Sequence, residues 1–210
     1  QKDKFFSIIA HDLLNPFNAL MAYTELLSKK SEKLERQKII EISNTLSQAS
    51  HQVFDLLSNL LLWSREQMNL TSYSRDIIKI TDVVENTIKA LEHTAQTKHI
   101  HVTSTVEPLS ILADQNATAA ILRNIISNAI KFTPEGGEIK LSSKNKNRFA
   151  EIIITDSGVG MSESRLKKLF DIDASASVPG TNGETGTGLG LQLCKEFAEK
   201  QGGQISAEST

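Results

Sequence analysis

An unbroken heptad pattern in residues 39–63 constrains the fold more than any other feature of this sequence. Its eight apolar residues are spaced alternately by three and four positions: Ile39, Ile42, Leu46, Ala49, Val53, Leu56, Leu60 and Trp63. Such spacing places one apolar stripe along a helix that packs against another helix. We therefore predict a long helix that needs a helical partner.

The partner is predicted in residues 5–28, where apolar residues also recur at helical spacing. They are Phe6, Ile9, Leu13, Phe17, Leu20 and Leu27. The polar stretch 28–37 would form the turn of an antiparallel hairpin. Leu57 and Leu61 widen the apolar face beyond what two helices bury, so we expect two chains to form a dimeric four-helix bundle.

The chain changes character after residue 66. Short apolar segments with strand alternation then follow one another between segments of helical period, which predicts an α+β sandwich. The predicted strands are 77–80, 99–106, 110–113, 138–143, 150–156 and 204–208, and the predicted helices are 82–98 (capped by Thr81 or Asp82), 116–131 and 189–201. The predicted organisation is a helical hairpin domain in 1–70, a linker in 71–76 and the sandwich domain in 77–210.

Charge and composition exclude several classes of function. Lys and Arg number 23 against 25 Asp and Glu, without a block of like charge, so we expect no nucleic-acid or anionic membrane partner. No apolar run approaches the ~20 residues of a membrane span. The single cysteine, Cys194, excludes an internal disulfide and a cysteine-based zinc site, and we expect it to serve packing in a reducing compartment. We expect this chain to be a cytoplasmic segment of a longer protein, and the longer protein could be attached to a membrane.

One group of polar residues suits a magnesium–phosphate site. Asn124, Asn128 and Lys131 are four and seven positions apart, so they share one face of the predicted helix. Amide oxygens suit magnesium, and an ammonium group suits phosphates. A solvated helix face is the alternative interpretation.

Two glycine-containing motifs follow. Asp156-Ser-Gly-Val-Gly places a carboxylate at the end of an apolar strand, beside glycines that allow close approach of a ligand, although a tight turn alone would also explain it. Gly186-Thr-Gly-Leu-Gly-Leu enters a predicted helix, whose backbone amides could hold an anion. It is neither a P-loop nor a dinucleotide fingerprint.

Taken together with Leu169-Phe170, these motifs resemble in order and spacing the catalytic ATP-binding domain of sensor histidine kinases. That domain belongs to the GHKL superfamily, which includes DNA gyrase and MutL. Residues 6–16 are similar to the phosphoacceptor box of the same kinases, so the resemblance covers essentially the whole chain. It implies ATP and Mg²⁺ as cofactors, a homodimer formed through the hairpin, and a response-regulator receiver domain as partner.

The resemblance also implies roles for individual residues. His11 would accept the phosphoryl group, Asp12 would hold the other ring N–H of His11, and Asn15 would orient water for dephosphorylation of the regulator. For the nucleotide, the resemblance implies that Asp156 binds the adenine amino group, Phe132 contacts the nucleoside and Asn128 binds magnesium. The phosphates would be bound by Lys131 and by the glycine-rich segment of Gly186, Thr187, Gly188, Leu189 and Gly190. The remaining motif positions implied in nucleotide binding are Asn124, Gly158 and Gly160. Residues 160–186 would form a lid over ATP.

Two other functions are weighed against this one. A GHKL-type ATPase would carry a water-activating Glu where this chain has Asn124, so we predict poor hydrolysis. A non-catalytic dimerisation scaffold would tolerate loss of the nucleotide motifs, yet all of them are intact. The chain departs from the family at Leu14, where a basic residue is frequent, and in 171–177, which has no Lys or Arg. It also stops at Thr210, ahead of the last strand that relatives usually have.

Overall fold

The computed structural model describes residues 2–30, 33–67, 75–171, 178–184 and 190–210. Within them, the side chains of residues 2–12, of residues 61–67 and of six further positions in the second helix are not described. The chain divides into two compact units, Gln1–Gln67 and Met68–Thr210. Each unit is considered by itself. The linker predicted in 71–76 falls largely outside the described residues and stays a prediction.

The first unit is a pair of long helices. Helix α1 spans Lys2–Lys30 and α2 spans Arg36–Gln67, and the two pack against each other. The heptad stripe of α2 is the side that is buried, at Ile42, Ala49, Val53 and Leu56. The predicted helical hairpin is therefore confirmed, with a connection shorter than the polar stretch 28–37.

The second unit alternates strands and helices. In chain order they are β1 (Asp76–Lys79), α3 (Ile80–Thr97), β2 (His101–Thr105), β3 (Ser110–Ala113), α4 (Gln115–Phe132), β4 (Glu138–Lys146), β5 (Phe149–Asp156), α5 (Glu163–Leu166) and α6 (Gly190–Lys200). Strand β3 has the predicted bounds, and the other predicted helices and the strands through β5 are found within three residues of their predicted ends. The α+β architecture is confirmed.

The strands form two small sheets. Strands β1 and β3 pair antiparallel, while β2 pairs parallel with β4, which pairs antiparallel with β5. The β4–β5 hairpin turns at Asn147 and Arg148, and Asn147 has a left-handed φ of 55°. Asn tolerates this conformation better than most residues, so the two strands extend farther toward the turn than the sequence pattern indicated.

The core of this unit is apolar and lies between the helices α3 and α4 and the strands. Its most deeply buried members include Ile80 and Val84 of α3, Ile126 of α4, and Ile139 and Leu141 of β4. Burying side chains of this size contributes about 1.5–3 kcal/mol each to folding. One face of α4 is therefore committed to the core, and its other face is left to polar residues.

Two local predictions are wrong. Helix α3 starts at Ile80, so Thr81 and Asp82 lie inside its first turn, and its N-cap is Lys79, which makes no side-chain capping bond. The Thr81 hydroxyl instead donates to Asp82 Oδ1 at 3.3 Å. Residues 204–208 are not a strand, although their exposure alternates as in one. A strand requires a hydrogen-bonded neighbour, and none pairs with this segment among the described residues.

Cys194 is buried in α6, as its expected packing role requires. Burial raises the pKa of its thiol to about 12, so the group remains protonated at neutral pH. A search for membrane-spanning helices, limited to the described residues, finds none that is long and apolar enough.

Candidate functional site

The predicted amide face of α4 forms as expected. Asp114 caps the helix by accepting a hydrogen bond from the Ala117 amide at 2.9 Å. Farther along, Asn128 Nδ2 donates to Asn124 Oδ1 at 3.1 Å. This bond orients both side-chain amides. It uses Nδ2 of Asn128, so Oδ1 of Asn128 is not bonded to Asn124. An amide oxygen held in this way suits a magnesium ion that is also bound by phosphates and water.

The N-terminus of α6 lies directly against this amide face. Gly190 is the first residue of α6, and a Cβ placed on it would overlap the side-chain amide of Asn124, with Oδ1 at 2.5 Å. A side chain at this position would therefore displace the amide of Asn124 from its present place. Backbone N–H groups at a helix N-terminus favour an anion, and the first described residue of α6 lies next to Asn124. Gly186, Thr187, Gly188 and Leu189 lie outside the described residues.

The loop that follows β5 is attached to the C-terminal end of α4. Asp156 Oδ1 accepts a hydrogen bond from the Gly158 amide at 2.9 Å, and the Val159 amide donates to the Phe132 backbone oxygen at 3.2 Å. A Cβ on Gly158 would lie 2.8 Å from that same oxygen. The tight turn and the exposed carboxylate of Asp156 are thus both present, and the turn is held against the backbone of Phe132.

Gly160 faces a different neighbour. Its φ is 66°, and a Cβ on it would lie 3.0 Å from the backbone oxygen of Thr210. The next amide, of Met161, donates to Ser209 Oγ at 2.8 Å. In the structure, Gly160 therefore packs against the C-terminal segment, and its role in binding a ligand stays a prediction.

Two cations lie near the ring of Phe132. Lys131 Nζ lies 4.9 Å and Arg165 Cζ 5.5 Å from the ring centroid, distances at which a ring attracts a cation. Burial lowers the pKa of Lys131, and the positive charge of Arg165 also lowers it, whereas the negative charge of Glu184 opposes both. Arg165 lies within the predicted lid 160–186 but was not predicted as a site residue, because it belongs to none of the motifs.

Lys98 and Glu184 were also missed. Their side chains form a salt bridge of 2.8 Å, in which Lys98 is buried and Glu184 is partly buried. Burial alone would raise the pKa of Glu184, but the hydrogen bond from Lys98 and backbone amide hydrogen bonds hold it below its usual value. The two residues are 86 positions apart. No local pattern marks either of them, so only the tertiary structure could reveal the pair.

The predicted residues of the first unit are placed less completely. His11 and Asp12 are within α1, but their side chains are outside the described set. Asn15 is exposed on the same helix, about one turn after His11. In the second unit, the structure brings Gly190 against Asn124, which is bonded to Asn128. It separately holds the turn of Asp156 and Gly158 against Phe132, the neighbour of Lys131 at the end of α4.

Comparisons with known proteins agree with this division. The family model described as "His Kinase A (phospho-acceptor) domain" matches residues 1–69, and "Histidine kinase-, DNA gyrase B-, and HSP90-like ATPase" matches residues 113–210. Histidine protein kinase DivJ of Caulobacter vibrioides is 26% identical over 208 residues, which are 98% of this chain and 35% of that protein. The chain spans between 23% and 40% of the length of the first three curated relatives.

Solved structures show the same fold. The histidine kinase AdeS of Acinetobacter baumannii superposes with a TM-score of 0.70 at 20% identity, over 95% of this chain and 91% of that one. The histidine kinase ThkA, in complex with the response regulator protein TrrA, superposes with a TM-score of 0.61 at 19% identity, over 96% of this chain and 56% of that one. At these identities the likeness establishes the fold alone.

Proposed function

The chain belongs to the sensor histidine kinases of two-component systems, and from this premise we propose that it uses ATP to phosphorylate its own His11. The phosphoryl group would then pass to an aspartate of a response-regulator receiver domain. The observation that carries the proposal is the convergence of Asn124, Asn128 and Gly190 on one face of α4, near the Asp156 turn at its end.

The adenine end of ATP is assigned to the turn after β5. One carboxylate oxygen of Asp156 is engaged by the Gly158 amide, which orients the group and leaves the other oxygen to accept a hydrogen bond from the adenine amino group. Phe132, held beside this turn, offers an aromatic face to the nucleoside. Gly158 keeps the turn close to α4, where any side chain would obstruct it.

The phosphate end is assigned to the polar face of α4 and to the start of α6. Lys131 would contact the phosphates, together with the backbone amides of residues 186–190. Asn128 would hold Mg²⁺ through Oδ1, with Asn124 fixing its orientation. When bound, the ion would neutralise charge on the phosphates and orient them for transfer.

The reaction is an in-line displacement at phosphorus. A neutral ring nitrogen of His11 attacks the γ-phosphorus, an N–P bond forms, the bond to the β–γ bridging oxygen breaks, and ADP leaves. Asp12 would accept a hydrogen bond from the other ring N–H and so stabilise the developing positive charge. Asn15, exposed one turn later, would orient water for dephosphorylation of the regulator.

The proposed assembly is a homodimer of the helical hairpin, with 1–70 and 77–210 as the two domains. In the single chain, apolar residues on both helices form a second stripe that is exposed: Leu14, Phe17, Met21, Ile40, Phe54 and Leu57. Pairing two hairpins would bury it. The complex of ThkA with TrrA supports a receiver domain as the partner, and ATP as the donor supports a cytoplasmic location.

Asn124 favours a kinase over an ATPase switch. Its side chain is bonded to Asn128 and packed against Gly190. An amide cannot remove a proton from water, so hydrolysis of ATP should be slow compared with an ATPase that has a carboxylate there. A silent scaffold would have no need of this arrangement.

The test is incubation with γ-labelled ATP and magnesium, comparing the unmodified chain with His11→Gln and Asn128→Ala. We expect a label that is stable in alkali and lost in acid, and that is absent from both variants. His11→Gln should still bind ATP, whereas Asn128→Ala should bind the magnesium complex more weakly. Phosphate release without labelled protein would instead indicate an ATPase. ATP binding without either product would indicate a scaffold.

A further inference from the structure

Lys98, which directly follows α3, has its ammonium group buried in the second unit. The side chain is 6% exposed. Its three N–H groups are shared among four acceptors: the backbone oxygens of Ile130 at 2.8 Å and Lys131 at 3.2 Å, Thr181 Oγ1 at 2.7 Å and Glu184 Oε1 at 2.8 Å. One cation thereby joins the C-terminal end of α4 to residues 178–184, which we call the Glu184 loop.

The Glu184 loop is folded around its own carboxylate and backbone. The Asn182 amide donates to Glu184 Oε2 at 2.8 Å, and the Gly180 amide donates to the Glu184 backbone oxygen at 2.7 Å. Gly183, with a φ of 77°, permits the reversal of the chain. The loop is therefore a compact turn, and the Lys98–Glu184 pair attaches it to the rest of the unit.

The loop is attached at Lys131, the residue assigned to the phosphates. The Lys131 backbone oxygen accepts from the Thr181 amide at 3.0 Å, in addition to Lys98. The one hydrogen of Thr181 Oγ1 is within reach of this oxygen at 3.2 Å and of the Thr133 backbone oxygen at 3.0 Å. A Cβ on Gly180 would lie 2.6 Å from Lys131 Cγ. The loop thus contacts both the backbone of Lys131 and the first part of its side chain.

A buried ion pair is a costly way to stabilise a fold. Removing two charges from water offsets much of their attraction, and apolar residues of similar size often stabilise a protein equally well. The pair does, however, fix geometry, because its hydrogen bonds are charge-assisted and directional. The carbonyl groups at the C-terminus of α4 also favour a cation at this point.

We propose that Lys98 and Glu184 are positioning residues for the nucleotide, which act by holding the Glu184 loop against Lys131 and so directing its ammonium group toward the phosphates. The inference rests on the proposed function for the identity of the ligand. It predicts that the pair controls affinity for ATP, and that it does so through Lys131. Chemistry at saturating ATP should depend on it little.

The test uses the full chain with Glu184→Gln and Lys98→Met, each also in a Lys131→Met background. ATP affinity is measured directly in the presence of magnesium, at a temperature at which circular dichroism shows every variant folded, and labelling kinetics are measured separately. Glu184→Gln should weaken ATP binding and raise KM about tenfold, the size of an indirect coupling of this kind, while kcat changes less than about twofold. In the Lys131→Met background it should have no further effect.

Glu151→Gln is the matched control, since Glu151 forms an exposed salt bridge of 2.7 Å with Lys146. The Glu151→Gln variant should bind ATP with the same affinity as the unmodified chain. Glu184→Gln remains informative if Lys98→Met does not fold. The proposal is overturned if Glu184→Gln binds ATP normally, or if its effect adds fully to that of Lys131→Met. Binding without labelling of the unmodified chain would refute the proposed kinase activity alone, and no binding of ATP would refute both.

Discussion

Lys131 is in an environment that opposes its own positive charge. Burial and the nearby cation Arg165 both disfavour the ammonium form, and Glu184 compensates only in part, so the pKa of Lys131 is lowered from its ordinary value of 10.5. Between the lowered pKa and that value, the unfolded chain binds more protons than the folded one. This residue therefore makes the protein more stable as pH rises through that window.

A phosphate group next to Lys131 should reverse this effect. Binding of ATP favours the ammonium form and raises the pKa of Lys131, so the complex should take up protons at alkaline pH, and affinity should fall as pH rises through the lowered pKa. Calorimetry in buffers of different ionisation enthalpy measures the uptake. Lys131→Met should abolish it and weaken binding at least about tenfold, since a charge-assisted hydrogen bond contributes about 1.5–3 kcal/mol. Unchanged uptake in Lys131→Met would assign the proton to another group.

Asp114 is a helix cap in the structure, whereas Thr81, which the sequence suggested as one, is not. Asp114→Ala should lower the free energy of unfolding by about 1 kcal/mol, because the Ala117 amide loses its acceptor. Thr81→Ala should change it by less than about 0.5 kcal/mol, since Thr81 lies inside α3 and caps nothing. Urea unfolding of the second unit measures both. Equal costs would contradict the assignment of the caps.

At the scale of the elements, apolar periodicity was a reliable guide wherever burial is local. It predicted both long helices, β3, the β4–β5 hairpin and α4, because each of them repeats apolar residues at the spacing of its own backbone. It failed for residues 204–208, where alternation is present without a neighbouring strand. Pairing depends on another part of the chain, so alternation in one segment cannot establish it.

The same distinction applies to the site. Asn124, Asn128 and Lys131 were predictable because the period of one helix places them together. The convergence of Gly190 and Asp156 with that helix followed only from the resemblance. The Lys98–Glu184 pair followed from neither, because its contacts join the end of α3 to a loop 86 residues later. Long-range polar contacts leave no periodic trace in a sequence.

The exposed stripe of the hairpin makes an element-scale prediction about assembly. Phe54 is 62% exposed in the single chain, and Phe54→Glu should weaken the dimer at least about tenfold, because a buried Phe contributes about 1.5–3 kcal/mol. Analytical ultracentrifugation measures the dissociation constant. Ile77→Glu, at a 78% exposed position in the second unit, should leave it unchanged. An unmodified chain that is monomeric at high concentration would contradict the four-helix bundle.

At the scale of the whole molecule, the two units divide the proposed reaction between them. The proposed phosphoacceptor, His11, belongs to the unit of residues 1–67, and every residue that we assign to the nucleotide belongs to residues 68–210. On the proposed roles, neither unit would hold a complete active site. Phosphorylation of His11 would therefore require both units in one assembly. The residue that carries the phosphoryl group is the observation that tests this requirement most directly.

The measurement that tests the central claim most directly is localisation of the phosphoryl group. The chain would be incubated with ATP and magnesium, kept at alkaline pH, digested and analysed by fragmentation mass spectrometry. We predict one added phosphoryl group, on the imidazole of His11, which is absent when ADP replaces ATP. A phosphoryl group on any other residue, or none on a chain shown to bind ATP, would contradict the assignment of this protein as a histidine kinase.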